Sequence, residues 1–277
     1  MKINGKTIVM IALAVVFAVG AFLMIRQGLS YGQAEQLSDD ALQLALQSGS
    51  DTTAPEDDPA GTEITDPTVP EETSIYSLEP LDEAAQYLAQ MDLAALQEVN
   101  PDVMGWIYIP GTKINYPLLR ADSSEEYLHT AWNGKSVYSG SIFLEPLNSA
   151  ELWDFNTLIY GHNMANGTMF GNLVGYAQQS FLEEHPYVYV LTEDAIRRYE
   201  VYSAYRAETD SSVYRLSYPD DIVKEAAIEE SVDASVLESQ IRPTAADHIL
   251  TLSTCTGSGD YSYRWVVRTV LTDIWER

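Results

Sequence analysis

Cysteine is nearly absent from this chain. Cys255 is the only one in 277 residues, so no intramolecular disulfide can form and any cysteine chemistry rests on one thiol. Basic residues are scarce as well. Fifteen Lys and Arg stand against 41 Asp and Glu, the formal net charge is −26, and no Lys or Arg occurs between Arg26 and Lys113. Nucleic acid is bound through basic groups that neutralise phosphate, so a nucleic-acid partner is excluded. The four histidines are scattered and cannot be joined by further cysteines. That pattern offers no metal-ligand cluster, and neither a metal nor another cofactor is expected. No internal repeat is present.

One long apolar run is present. Residues 7–25 hold 19 positions without a charge, close to the roughly 20 residues that span a bilayer as a helix. Lys2 and Lys6 precede the run, which predicts a cytoplasmic tail at 1–6, an anchor at 7–25 and everything later outside the membrane. A cleaved signal peptide is the rival, because Ala18-Val-Gly20 offers small residues for cleavage. The run exceeds the usual apolar region of such peptides, and length favours the anchor. Residues 26–74 read as an acidic, disordered stalk. Gln33–Gln47 has some helical character, but 48–74 is Ser, Thr, Asp, Glu, Pro and Gly with little to bury.

From residue 75 to 277 the chain reads as one globular domain. Leu81–Val99 carries a helical pattern broken near Asp92. Strand patterns come next at Gly105–Ile109, Lys113–Leu119, Ser141–Glu145, Asn156–Gly161, Tyr187–Thr192, Arg198–Arg206, Ile249–Cys255 and Arg264–Ile274. Pro110-Gly111 marks a turn between the first two. Helical stretches interrupt at Met169–Phe181 and Asp220–Gln240. The second is read as amphipathic, with Ile222, Val223, Ala226, Ala227 and Ile228 on one face. Eight strands with turn signals fit a closed barrel or a sandwich.

Two stretches carry chemistry. In His248-Ile-Leu-Thr-Leu-Ser-Thr-Cys255, apolar and polar residues alternate, so a half-buried strand delivers the thiol at its end. A lone cysteine is ordinarily core filler; here the next strand begins at Arg264, and a hairpin sets that cation near the sulfur. A cation favours the thiolate, which is the nucleophilic form. The other stretch, Tyr160-Gly-His162-Asn163, puts a histidine just past a strand end. His129 and His185 fall in polar loops, and His248 opens the cysteine strand at its far end, so His162 is the best partner for Cys255. Arg268 competes with Arg264 for the cationic role, but about 13 Å of strand separates them and only one can reach Cys255.

Thr251-Leu-Ser-Thr-Cys255, the following Arg264 and the upstream Tyr160-Gly-His162-Asn163 resemble a sortase, and more narrowly class B. Asn100–Pro117, Tyr127-Leu128, Gly140–Phe143, Thr168–Leu173, Ser203–Tyr205 and the helix before the cysteine strand match in order. The resemblance covers about residues 81–277. It implies a mainly β fold, a closed eight-stranded barrel with an N-terminal helix and a long helix before the Cys strand. It also implies a membrane-anchored cysteine transpeptidase of Gram-positive bacteria that needs no cofactor. Cys255 would attack a C-terminal sorting signal on a secreted protein and form a thioacyl-enzyme. His162 would serve as acid and base, and Arg264 would hold the oxyanion. The acceptor would be a peptidoglycan precursor amine, with a pilin lysine as the alternative. Ser253, Leu128, Thr209 and Tyr214 would line the peptide groove. Two competing readings are a hydrolase that releases product without transfer and a non-catalytic peptide-binding surface module.

Overall fold

The computed structural model describes residues 32–47, 75–77, 79–120, 122–123, 125–256 and 262–277, with isolated helical residues at 19–21, 24 and 28. Eight strands close a barrel: β1 (Val103–Tyr108), β2 (Asn115–Arg120), β3 (Ile142–Leu144), β4 (Asn156–Tyr160), β5 (Tyr187–Leu191), β6 (Ala195–Glu208), β7 (Ile249–Cys255) and β8 (Tyr263–Glu276). Their order is β1-β2-β3-β4-β7-β8-β6-β5, and β5 returns to pair with β1. Each falls where the alternation of apolar residues predicts it. β6 and β8 run to 14 residues each, because they pair with one another along their whole length, from Ala195 opposite Glu276 to Glu208 opposite Tyr263.

The alternation explains why the sheet closes. Ile107, Leu118, Ile142, Ile159, Val190, Leu250, Leu252 and Val267 come from seven strands and meet in one buried cluster. Fully burying such a side chain contributes about 1.5–3 kcal/mol. Two pairings bring the chemistry-bearing residues to one end of the barrel. β4 runs parallel to β7, with Tyr160 opposite Ser253, and β7 runs antiparallel to β8, with Cys255 opposite Arg264.

Helices flank the barrel. The predicted break at Asp92 separates α2 (Glu83–Ala89) from α3 (Leu93–Gln97), and Asp92 caps the second by accepting from the Ala94 N–H at 2.9 Å. Asp82 caps the first with Oδ1, while its Oδ2 takes Arg198 at 3.0 Å and the Tyr189 hydroxyl at 2.7 Å. One carboxylate thus ties a helix end to the barrel wall. The stretch expected to be helical at 169–181 is a 3₁₀ segment (Gly171–Ala177) followed by α4 (Gln179–Glu184).

Two expectations need correction. α5 occupies Asp221–Asp233, not the whole of Asp220–Gln240, and its buried residues are Ala227, Ile228 and Ser231. Ile222 is 80% exposed. It lies in the first turn, before the helix meets the sheet. The second correction concerns only residues 32–47 of the expected stalk, where the sequence has some helical character. Residues 32–47 form a helix, α1, packed on the barrel through Ala34, Leu37, Ala41 and Ala45. These recur at helical spacing, so the acidic residues between them face solvent. Trp132 donates from Nε1 to the Leu37 carbonyl at 2.8 Å, Ser38 donates to the Asn115 carbonyl at 3.4 Å, and Lys113 pairs with Glu35 at 2.9 Å. The expected tail at 1–6, the stretch 48–74 and nearly all of the 7–25 run lie outside the described residues. Among the described residues no helix is long and apolar enough to cross a membrane.

The Trp132 contact gives a direct test of α1 docking. Trp132→Phe keeps an aromatic ring but leaves the buried Leu37 carbonyl without its donor. We expect a loss of about 1–3 kcal/mol of unfolding free energy in urea melts of a protein that retains residues 32–47.

Candidate active site

β7 places alternate side chains on opposite faces. Leu250 and Leu252 enter the barrel core, and Thr251, Ser253 and Cys255 face the other way. Cys255 ends the strand and is half-buried. Across the β7–β8 pair its register partner is Arg264, as the hairpin predicts. Arg268 lies four residues further along, opposite Thr251, and is 1% exposed. Its Nη1 donates to the Ala227 carbonyl of α5 at 3.1 Å. It belongs to the packing beneath α5, which leaves Arg264 as the cation beside the thiol.

His162 reaches the same place from the other side. The parallel register that sets Tyr160 against Ser253 carries the backbone of His162 level with Cys255, and the Gly161 N–H donates to the Ser253 carbonyl at 3.3 Å. Glycine is required at 161 because a Cβ there would come within 2.8 Å of the Phe170 ring. The neighbouring Asn163 donates from Nδ2 to the Cys255 carbonyl at 2.8 Å, tying the two strand ends together. The His162 carbonyl accepts from the Phe170 N–H at 2.9 Å.

The imidazole itself is held by a backbone group. His162 Nε2 lies 2.8 Å from the Leu128 carbonyl oxygen. A carbonyl can only accept, so Nε2 carries the proton in this bond. Gly140 makes room for that carbonyl. Its φ is +56°, and a Cβ would collide with the Tyr127 and Leu128 carbonyl oxygens. His129 and Tyr138 complete the surroundings. The His162 ring lies 5.7 Å from His129 and 6.2 Å from Tyr138, nearly parallel to both.

The electrostatics oppose a charged His162. Burial pushes its pKa below the ordinary 6.5; the Leu128 carbonyl works in the opposite direction, and His129 and Arg264 add further lowering. Tyr160, on the cleft wall, is pushed well above the usual phenol range by burial and by the Glu145 carboxylate. Tyr214 is raised by burial, against a hydrogen bond with Ser253 Oγ at 3.0 Å and the influence of Arg264.

All seven residues singled out from the sequence line one open cleft of about 1110 Å³: Leu128, His162, Thr209, Tyr214, Ser253, Cys255 and Arg264. Phe143, Glu145, Tyr160, Leu216 and Thr254 share it. His185 and His248 stand elsewhere. His185 meets the Pro110 carbonyl, and His248 packs edge-on against Trp153. Sequence reasoning missed His129, which it placed in an unremarkable loop. The available signal was its position directly after Leu128. An apolar residue followed by a titratable one on the loop that faces His162 puts one at the wall and the other beside the ring.

The same architecture occurs in known proteins. A family model described as Sortase domain matches residues 107–272. Sortase B of Listeria monocytogenes is 36% identical over 173 residues, covering 61% of this chain and 69% of its own length. Sortase B of Staphylococcus aureus is 33% identical over 161 residues, covering 58% and 66%. The solved Staphylococcus aureus sortase B–substrate complex superposes with a TM-score of 0.63 at 30% identity, covering 67% of this chain and 86% of that one.

The imidazole pair yields a prediction. His129→Gln removes one of the groups that lower the His162 pKa, so the His162 titration midpoint in NMR should move up toward 6.5. A histidine whose folded pKa lies below its unfolded value binds fewer protons when native, so unfolding free energy falls as pH drops below about 6.5. His129→Gln should shallow that loss in denaturant melts run across the acid range.

Proposed function

The chain belongs to the sortase family as a class B sortase, and so is a cysteine transpeptidase. From that premise we propose that it cleaves a C-terminal sorting signal of secreted proteins through a thioacyl-enzyme on Cys255 and passes the acyl end to a cell-wall amine. The observation that carries this reading is the meeting of one sulfur, one imidazole and one guanidinium in a single cleft, set there by three adjacent strands.

Each step draws on a group present in the cleft. The Cys255 thiolate attacks the scissile carbonyl, forming a C–S bond and an oxyanion. Arg264 stabilises that charge with its fixed fork of donors. Protonated His162 gives its proton to the leaving amine as the C–N bond breaks. An incoming amine then attacks the thioester, His162 takes a proton from it, and thiolate leaves. Nε2 is engaged with the Leu128 carbonyl, so Nδ1 is the nitrogen that exchanges protons. Burial disfavours the imidazolium, so the acid form of His162 is held against its surroundings. Ser253, Leu128, Thr209 and Tyr214 line the path of the peptide.

The cellular setting belongs to the same proposal. Residues 7–25 anchor the enzyme in the membrane of a Gram-positive cell with the N-terminus inside and the barrel outside, facing secreted substrates and peptidoglycan. The staphylococcal relative has been solved with a substrate bound, and its 30% identity supports a peptide in the equivalent cleft here.

A library of quenched peptides bearing sorting-like signals tests the reaction, run with and without added amines and with products identified by mass. Wild type should form the amine adduct, and Cys255→Ala should form none. Arg264→Lys should lose about a hundredfold or more in kcat with the same peptide, because a point charge replaces the oriented fork. Release of only the acid, whatever amine is offered, would mark a hydrolase. Transfer to a lysine-bearing protein in preference to a cell-wall amine would mark a pilin-polymerising enzyme.

A further inference from the structure

Asn156 opens β4, is fully buried, and is absent from the cleft lining. Its side-chain amide is nevertheless tied to the cleft wall. Nδ2 donates to the Val213 carbonyl at 2.9 Å and to the Arg215 carbonyl at 3.0 Å. Oδ1 accepts from Thr251 Oγ1 at 2.8 Å, which fixes the amide's orientation from the neighbouring strand. The two carbonyls flank Tyr214, whose ring lines the cleft and whose hydroxyl meets Ser253 Oγ at 3.0 Å.

The segment holding Tyr214 has little structure of its own. Ser212–Tyr214 is a single 3₁₀ turn, kept by local bonds from Tyr214 N–H to Ser211 and from Arg215 N–H to Ser212. One such turn does not persist alone. Val213 adds apolar packing against Tyr205, Ala207 and Val266, but packing of this kind does not set the direction of the turn. The two donated bonds do, since each fixes a carbonyl direction on either side of Tyr214. Only an amide can supply two donors and one acceptor at that reach. Aspartate matches the shape and supplies no donor, and a buried carbonyl stripped of its donor is costly.

We propose that Asn156 is a positioning residue that sets the Tyr214 wall of the cleft and thereby the affinity for the peptide. The effect on peptide affinity rests on the transpeptidase reading, whereas the effect on the wall does not. The test compares wild type, Asn156→Asp, Thr251→Val and Thr251→Ser. It uses amide hydrogen exchange, steady-state kinetics with the best peptide from the library, and the rate of Cys255 carboxymethylation by iodoacetamide.

In Asn156→Asp, exchange at Tyr214 and Arg215 should quicken by about tenfold or more and KM should rise about tenfold, the loss of one buried and one part-buried hydrogen bond. The kcat should stay within about twofold, and iodoacetamide should react at the wild-type rate, since Asn156 touches no reacting atom. Thr251→Val should move exchange and KM the same way by less, and Thr251→Ser should restore both. That pair keeps the test alive where Asn156→Asp fails to fold. Unchanged exchange at Tyr214 and Arg215 overturns the tether. Faster exchange with an unchanged KM overturns its part in binding. Equal falls in kcat, alkylation rate and melting temperature mark a merely structural residue and overturn it too. A wild type that turns over no peptide sinks the transpeptidase reading alone, because exchange still reads the wall.

Discussion

The arrangement depends on register. β7 pairs in parallel with β4 on one side and antiparallel with β8 on the other, and both pairings bring a functional side chain level with its last residue. A slip of one residue in either ladder would send Cys255 into the barrel core, away from His162 and Arg264. The barrel cluster holds both registers, because Leu250 and Leu252 must alternate inward for the core to fill. Core packing and site geometry are therefore one constraint. The chemistry is placed at strand ends, where the backbone can leave the sheet and the side chains meet an open cleft.

A second constraint acts on His162. The ring is half-buried beside one cation and a second imidazole, and it hydrogen-bonds to a main-chain oxygen. A carbonyl orients an imidazole without lending it the full charge of a carboxylate. His162 is thereby held in direction while its charged form stays unfavourable. In the triads that use an aspartate behind the histidine, the buried charge stabilises imidazolium. Here the stabilisation is weaker.

Much of this was accessible from the amino-acid pattern, for definite reasons. The eight strands announce themselves through period-two alternation, and a single cysteine with scattered histidines leaves few partners to consider. Cys255, His162 and Arg264 could be chosen because a thiol, an imidazole and a guanidinium are chemically distinctive side chains. What escaped was carried by groups that every residue has or by contacts remote in the chain. The Leu128 carbonyl that orients His162 has no compositional mark. Asn156 looks like any polar residue opening a strand, since nothing local says that Val213 and Arg215 lie against it. His129 sat in a polar loop and drew no notice until the fold stacked it on His162. The docking of α1 was hidden by its acidity, because the apolar stripe of Ala34, Leu37, Ala41 and Ala45 is thin and is diluted by charge on the remaining faces.

The docking of α1 changes how a pull would travel through the molecule. α1 and α2 are fastened to the same rigid body, and the Ala45 carbonyl accepts from the Asp92 N–H at 3.0 Å close to where α1 ends. A pull on α1 therefore reaches the barrel side-on, through the Trp132 and Lys113 contacts, before any load comes to β1.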